Sequence, residues 1–173
     1  MSANKHKPHV LVLPEDDANR QIANGFFLKI AGRAWQVLPP AGGWARVIEE
    51  FERDHVFTMR QYPDRNIVLV MDFDHQVTER LERVKAVTPP ELHDRVFVLG
   101  VLSEPEELKA KLKMTFEAIG ESLFQDCADD TRRLWSHELL KHSATEIDRL
   151  VSSVRPFLFS RSVRNDLDTY SIL

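Results

Sequence analysis

Acidic side chains follow two apolar runs of the sequence, and their types and spacing suit a cation site. Glu15 and Asp16 come after the first run, and Asp72 and Asp74 come after the third. If both runs are neighbouring parallel strands, their carboxyl ends meet at one edge of the sheet and the acids converge. Convergent carboxylates repel one another in a cleft of low dielectric, and a divalent cation removes that cost. Mg²⁺ prefers such oxygen ligands and could stabilise a phosphoryl transition state or generate a hydroxide nucleophile.

The same acids also have purely local interpretations. Asp17 or Asn19 is placed to cap the helix predicted after the first strand, and Asp74 to cap the helix that begins near His75. Asp72 has no such local role, because it ends a buried apolar strand. A charge there requires a cationic partner or a metal. The sequence therefore leaves two alternatives open for this region, a helix cap or a metal site.

The elements that must position these acids follow from the alternation of apolar periods between two and 3.6 residues. Strands are predicted at 8–14, 33–38, 67–71 and 95–101. Helices are predicted at 17–31, from 44 to about 59, at 75–87 and, as one long helix, from 103 onward. The order β-α-β-α-β-α-β-α predicts an α/β, Rossmann-like fold with a mainly parallel sheet of about four strands flanked by helices.

Beyond residue 124 the pattern becomes purely helical. A helix is predicted at 131–142, and Ser143 and Glu146 have the spacing of a capping box that starts another. We therefore predict an α/β domain over residues 1–124 and a helical C-terminal extension over residues 125–173 that packs on it. The residues after Pro156 show no strong period, so either a docking tail or a disordered end is expected there.

Composition limits the class of protein more than its activity. The chain has 173 residues, a formal net charge of -4 and a single cysteine, Cys127. The charge argues against a global basic field for nucleic acid, so such a partner would need a local patch or a helper protein. One cysteine excludes an internal disulfide framework. No signal peptide or bilayer-spanning run is recognised, so we expect a cytoplasmic protein without membrane association.

The spacing of Glu15, in VLVLPE, and of Asp72 and Asp74, in IVLVMDFD, resembles the TOPRIM domain. This domain occurs in topoisomerases, primases and the nucleases associated with overcoming-lysogenization-defect ATPases. The resemblance covers about residues 8–124, although the motif itself is three residues. The family usually has a glycine after the Glu, and Asp16 follows here.

The resemblance implies a Rossmann-like fold, Mg²⁺ or Mn²⁺ held by Asp72 and Asp74, and an acid-base or metal role for Glu15. Asp16 is a further candidate ligand, since it lies beside Glu15. The implied activity is that of a metal-dependent nuclease, or a related phosphoryl-transfer enzyme, acting on phosphodiesters of nucleic acid. A separate ATPase that delivers substrate, as in phage-defence assemblies, is an implied partner, and a homo-oligomer is equally compatible.

A second resemblance leads to a non-enzymatic alternative. The stretch 11–51 is similar to the opening of a response-regulator receiver domain. Asp72 would then accept phosphate, with Asp16 and Asp17 as metal ligands. Receivers have a Lys after a fifth strand, and no such strand is predicted here. A receiver-like or degenerate TOPRIM module that serves regulation or assembly is therefore the alternative function, and a haloacid-dehalogenase-like interpretation of Asp72 and Asp74 ranks below both.

Overall fold

The computed structural model describes residues 2–159, in which helices alternate with four strands. The strands are β1 (His9–Pro14), β2 (Trp35–Val37), β3 (Arg65–Val70) and β4 (Val96–Leu99). The α-helices are α1 (Asp17–Phe27), α2 (Trp44–Glu50), α3 (Val56–Gln61), α4 (Val77–Val87), α5 (Pro105–Leu112), α6 (Phe116–Asp129) and α7 (Ala144–Leu158). A π-helical turn, Phe51–His55, joins α2 to α3.

The four strands form one parallel sheet in the order β2-β1-β3-β4, which confirms the predicted α/β, Rossmann-like fold. The chain moves outward from β1 to β2 and then crosses back to place β3 on the other side of β1. The strand order therefore reverses between β1 and β3. That point is where open parallel sheets bind their ligands, outside the carboxyl ends of the strands.

Apolar side chains cover both faces of the sheet, as expected of parallel strands with helices on each side. All six residues of β1 are buried. Val10 and Val12 pack with the core formed by α1, α6 and α7, and Leu11 and Leu13 with the core formed by α2, α3 and α4. This burial on both faces holds the carboxyl ends of β1 and β3 in fixed positions.

Two glycines allow α1 and α6 to pack backbone to backbone. A Cβ atom on Gly25 would lie 2.1 Å from the carbonyl oxygen of Glu117, and one on Gly120 would lie 2.0 Å from that of Ile22. Real side chains do not tolerate such distances, so these positions require glycine. The close contact ties α6 to the helix that directly follows Glu15 and Asp16.

Side chains of α7 complete the outer edge of β4, where a fifth strand would otherwise pair. The backbone N–H of Val98 donates to Glu146 Oε2 at 2.9 Å, and Arg149 Nη2 donates to the carbonyl oxygen of Val96 at 2.8 Å. Arg149 also bonds Glu146 and the carbonyl oxygen of His93. We call Glu146 and Arg149 the edge clasp. The clasp satisfies backbone groups that an exposed edge strand would offer to another chain.

The C-terminal half differs from its prediction in two places. The long helix predicted from residue 103 is two helices, because Lys113 adopts a left-handed φ of 53° and Thr115 caps α6 through its side chain. The helix predicted at 131–142 is wrong, since that segment consists of turns that lead into a short 3-10 helix, Lys141–Ser143. Buried Asp126 organises the first of these turns by accepting hydrogen bonds from Thr131 Oγ1 and from the N–H groups of Leu134 and Trp135.

The predicted domain boundary and the start of the tail both fall inside helices. Residue 124, the predicted end of the α/β domain, lies inside α6, and α7 continues through Pro156 to Leu158. The rest of the tail, residues 160–173, lies outside the described residues. Within residues 2–159, no helix combines the length and apolar character needed to cross a bilayer.

Loss of the edge clasp should both destabilise the fold and expose β4. We expect Glu146→Ala to lower the free energy of unfolding by about 2 kcal/mol, because it leaves the N–H of Val98 without its acceptor. It should also promote concentration-dependent association through the exposed edge. Urea unfolding and sedimentation velocity measure the two effects.

The matched control is Asp148→Ala, which removes an acid of α7 that is 61% exposed and pairs with Arg132. This exposed ion pair should contribute under about 1 kcal/mol. Equal unfolding energies and sedimentation for Glu146→Ala and Asp148→Ala would contradict the role of the clasp.

Candidate functional site

The candidate site begins with a direct contact between the ends of β1 and β3. Glu15 follows β1 and Asp72 lies two residues beyond β3. The backbone N–H of Asp72 donates to Glu15 Oε2 at 2.8 Å, and the backbone N–H of Glu15 donates to the carbonyl oxygen of Val70, also at 2.8 Å. The structure therefore brings together two of the predicted site residues at the point where the strand order reverses.

Asn19 links Asp16 to this pair. Its side chain is almost fully buried, with 1% of the residue exposed. Its Nδ2 donates to Asp16 Oδ1 and to Asp72 Oδ1, each at 3.0 Å. Asp16, not Asp17 or Asn19, caps α1 by accepting the N–H of Asn19 at 2.9 Å. Asp16 thus has the local role of a helix cap and also contacts the site through Asn19.

Asn19 is the site residue that sequence reasoning missed, since it was considered only as a helix cap. The position of Asn19 in its helix could have indicated this role. The third residue of a helix that starts at a capped strand end faces back toward the cap, so a polar side chain there reaches the same edge of the sheet. Its partner Asp72 lies 53 positions away in the sequence. That contact depends on the pairing of β1 with β3.

Asp74 contacts a buried arginine of α4. Its Oδ2 lies 3.2 Å from Arg80 Nη2, and its side chain is 57% exposed. Asp74 and His75 both have a left-handed backbone, with φ of 46° and 60°. Two successive residues in this region, neither of them glycine, are uncommon and store strain of the kind found at functional sites. The local interpretation of Asp74 as a cap of the next helix is wrong, because α4 has no side-chain cap.

The loop before α2 covers Glu15 from the side of β2. Gly42 and Gly43 have φ of 90° and 141° and direct their N–H groups at the carbonyl oxygen of Glu15, at 2.8 and 3.3 Å. The backbone N–H of Trp44, the first residue of α2, is close enough to the Glu15 carboxylate to lower its pKa. Glu15 is therefore held from two sides, by α2 and by the end of β3.

Electrostatics make Asp72 the most perturbed acid of the group. Burial raises the pKa of Asp72 to about 7 from 3.8. The negative charges of the three other acids push it further in the same direction, and the hydrogen bond from Asn19 opposes them. Burial also raises the pKa of Glu15, although the N–H groups it accepts lower it in part. Carboxyl groups perturbed in this way, at the edge of a sheet, are typical of functional sites.

The other singled-out residues lie away from this contact or have structural roles. Asp17 bonds Arg20 and Gln21 at the protein surface, so it is not directed at Asp72. The predicted capping box of Ser143 and Glu146 is absent, because Ser143 makes no side-chain cap hydrogen bond and Glu146 accepts the N–H of Val98.

The four predicted acids do not form a closed cation cage. Within the described part of the chain, no three His, Cys, Asp or Glu side chains are grouped so that they could hold a metal ion. The donor set nevertheless suits Mg²⁺, which takes one or two carboxylates from a protein and keeps waters or phosphate oxygens in its other positions. Glu15 and Asp72 provide such a pair of oxygen donors, and Asp74 is engaged by Arg80.

Replacing Asp72 should stabilise the protein, in a way that depends on pH. A carboxyl group whose folded pKa exceeds its unfolded value binds its proton more tightly in the folded state. Its contribution to stability is therefore lost progressively as pH rises from about 4 to 7, the interval between the two pKa values of Asp72. Asp72→Asn removes this loss, and we expect its free energy of unfolding to exceed that of the wild type by about 1–3 kcal/mol at pH 8.

Urea unfolding at intervals from pH 4 to pH 8, without divalent metal, measures the difference. It should grow through this range and then level off. Asp17→Asn, which changes an exposed neighbouring acid, serves as the control and should show no such gain. A constant difference between wild type and Asp72→Asn across the range would show that Asp72 titrates normally.

The chain matches no model of a protein family, no curated protein and no solved structure. The fold and the contacts of the acidic residues are consequently the observations that bear on function. Both place the candidate site at the carboxyl ends of β1 and β3.

Proposed function

We propose that this protein is a Mg²⁺-dependent nuclease, or a related phosphoryl-transfer enzyme, that acts on nucleic-acid phosphodiesters. One observation carries the proposal: the hydrogen bond that joins Glu15 to Asp72 at the point of strand reversal. The bond fixes the Glu15 carboxylate against the backbone of Asp72, and carboxylates at this point of a sheet are suited to a hard cation and, through it, to a phosphate oxygen. The TOPRIM-like spacing of Glu15, Asp72 and Asp74 supports the same activity.

Each residue has a defined task in this proposal. Asp72 binds the cation, which when bound supplies charge stabilisation for the transferring phosphoryl group. Asn19 fixes the orientation of the Asp72 carboxylate through its bond to Oδ1. Glu15, held by the N–H group of Asp72, would orient the attacking water or share the cation. Burial raises the pKa of Glu15, which makes it a better proton acceptor than an exposed carboxylate.

The charge of the chain bears on how substrate reaches this site. A net charge of -4 gives little long-range attraction for a polyanion. A partner protein that delivers the nucleic acid, such as an ATPase in a defence assembly, would supply that attraction. This partner is part of the proposal and rests on the resemblance alone.

The strand order favours a second candidate, a receiver-like module without hydrolytic activity. The order β2-β1-β3-β4 is that of the first four strands in flavodoxin-like proteins, to which receivers belong. Asp72 would then be the phosphate acceptor. Two findings weigh against this function: Asp17 is directed at Arg20 and Gln21, and the edge clasp lies where a fifth strand would pair in the described chain.

The test combines metal binding with cleavage. We expect the wild type to bind Mg²⁺ or Mn²⁺ in isothermal titration calorimetry and to nick supercoiled plasmid. Asp72→Asn and Glu15→Gln should reduce nicking by roughly 100-fold or more, as expected for groups that act at the reacting phosphate. Asp17→Asn, the surface control, should bind metal and cleave as the wild type does.

Three other outcomes would each argue against the nuclease. Metal binding without nicking, together with covalent phosphorylation of Asp72 by acetyl phosphate, would indicate the receiver-like module. Nicking that survives in both site variants would place the chemistry elsewhere. Absence of metal binding in the wild type would mean that the acids serve the fold alone.

A further inference from the structure

Arg80 is a buried cation that directly contacts the candidate site. It projects from the first turn of α4, and only 4% of its side chain is exposed. Its Nη2 lies 3.2 Å from Asp74 Oδ2 and its Nη1 lies 3.2 Å from Gln76 Oε1. Both partners are exposed residues of the turn that follows β3. The guanidinium therefore lies directly beneath the turn that carries Asp74.

The guanidinium has more donors than this turn satisfies. A guanidinium carries five N–H groups, and each buried one without an acceptor is unfavourable. Its buried Nε has no hydrogen-bond partner among the described residues, and its two hydrogen bonds are long for a charged donor. A buried arginine bonded in this incomplete way is suited to a further anionic ligand.

Trp44 holds the guanidinium in a fixed plane. The Cζ atom of Arg80 lies 3.6 Å from the centroid of the Trp44 ring, which is stacking distance for a cation over an aromatic face. The backbone N–H of the same Trp44 is close enough to the Glu15 carboxylate to lower its pKa. Trp44 is thus adjacent to both Glu15 and Arg80, so the guanidinium lies near the acids of the candidate site.

We propose that Arg80 binds a phosphate oxygen of the substrate, and that Asp74 occupies its place until substrate arrives. The inference rests on the proposed function, which it deepens by assigning the group that recognises phosphate. A planar guanidinium can contact two oxygens of one phosphate, which a lysine cannot do. A phosphate that approaches Glu15, Asp16 and Asp72 is repelled by their negative charge, which a nearby guanidinium offsets together with any bound cation. When phosphate displaces Asp74, the positive charge of the Arg80 guanidinium becomes available to pair with the phosphate.

The test measures binding of inorganic phosphate by ³¹P NMR titration in buffer with chelator, so that neither metal nor cleavage is needed. We expect Arg80→Lys to bind phosphate about tenfold more weakly than the wild type, the loss that corresponds to one charge-assisted hydrogen bond. Arg83→Lys is the matched control. Arg83 lies one turn further along α4, also faces Trp44 at 5.0 Å and is 56% exposed, so its replacement should leave the affinity unchanged.

Asp74→Asn gives a change of opposite sign. Because it removes the carboxylate that engages Arg80, it should strengthen phosphate binding by about fivefold to tenfold. The double variant Asp74→Asn/Arg80→Lys should lose that gain, which separates release of Arg80 from a general reduction of negative charge.

Three results would overturn the inference: equal affinity in Arg80→Lys and wild type, no gain in Asp74→Asn, or a gain that persists in the double variant. Thermal unfolding of each variant verifies that it folds. If Arg80→Lys does not fold, Asp74→Asn still decides, because it leaves Arg80 in place. If the protein binds phosphate through Arg80 but does not nick plasmid, the phosphate site is supported and the nuclease function is refuted. If the protein nicks plasmid equally well with and without Arg80, the nuclease function is supported and the role of Arg80 is refuted.

Discussion

The pairing of β1 with β3 is the constraint on which the rest of this structure depends. Six residue pairs align the two strands from His9 and Arg65 to Pro14 and Val70. Both strands are buried on both faces, so a shift in register would expose apolar side chains and bury polar ones. The same alignment places Glu15 next to Asp72. A local contact between two acids is therefore maintained by the free energy of the whole core, and the desolvation of Asp72 is a consequence of that core.

Much of the fold and part of the site could be predicted from the sequence. Continuous apolar runs identified the four strands, and Glu15 does meet the backbone of Asp72 at one edge of the sheet, although three acids are not grouped there within the described residues. The remaining features depend on non-local contacts. The turns at 131–142 exist because buried Asp126 binds their backbone N–H groups, and periodicity carries no information on such a bond. Lys113 breaks the long helix through a backbone conformation that its residue type does not indicate.

The direction of Asp74 is the clearest case of a contact that residue types alone do not decide. Spacing made Asp74 an equal partner of Asp72, yet its backbone turns it toward Arg80. The two acids consequently differ in environment, one desolvated among like charges and the other exposed and paired with a cation. Such a division between neighbouring carboxyl groups is a common basis for different chemical roles within one site. The strained turn that produces it lies between two well-packed elements, β3 and α4, which offset its cost.

The edge clasp has a consequence for the order in which this chain matures. All four strands precede α7 in the sequence, so on the ribosome β4 is synthesised before the helix that carries Glu146 and Arg149. During that interval the sheet has an open side, and nascent or newly released chains are most prone to pair with one another there. The interval ends when α7 has been synthesised and packs against β4. The yield of folded protein should therefore depend on the rate of synthesis and on chaperone access between β4 and α7. This dependence should be weaker in a sheet whose edge is covered by an element that precedes it in the sequence.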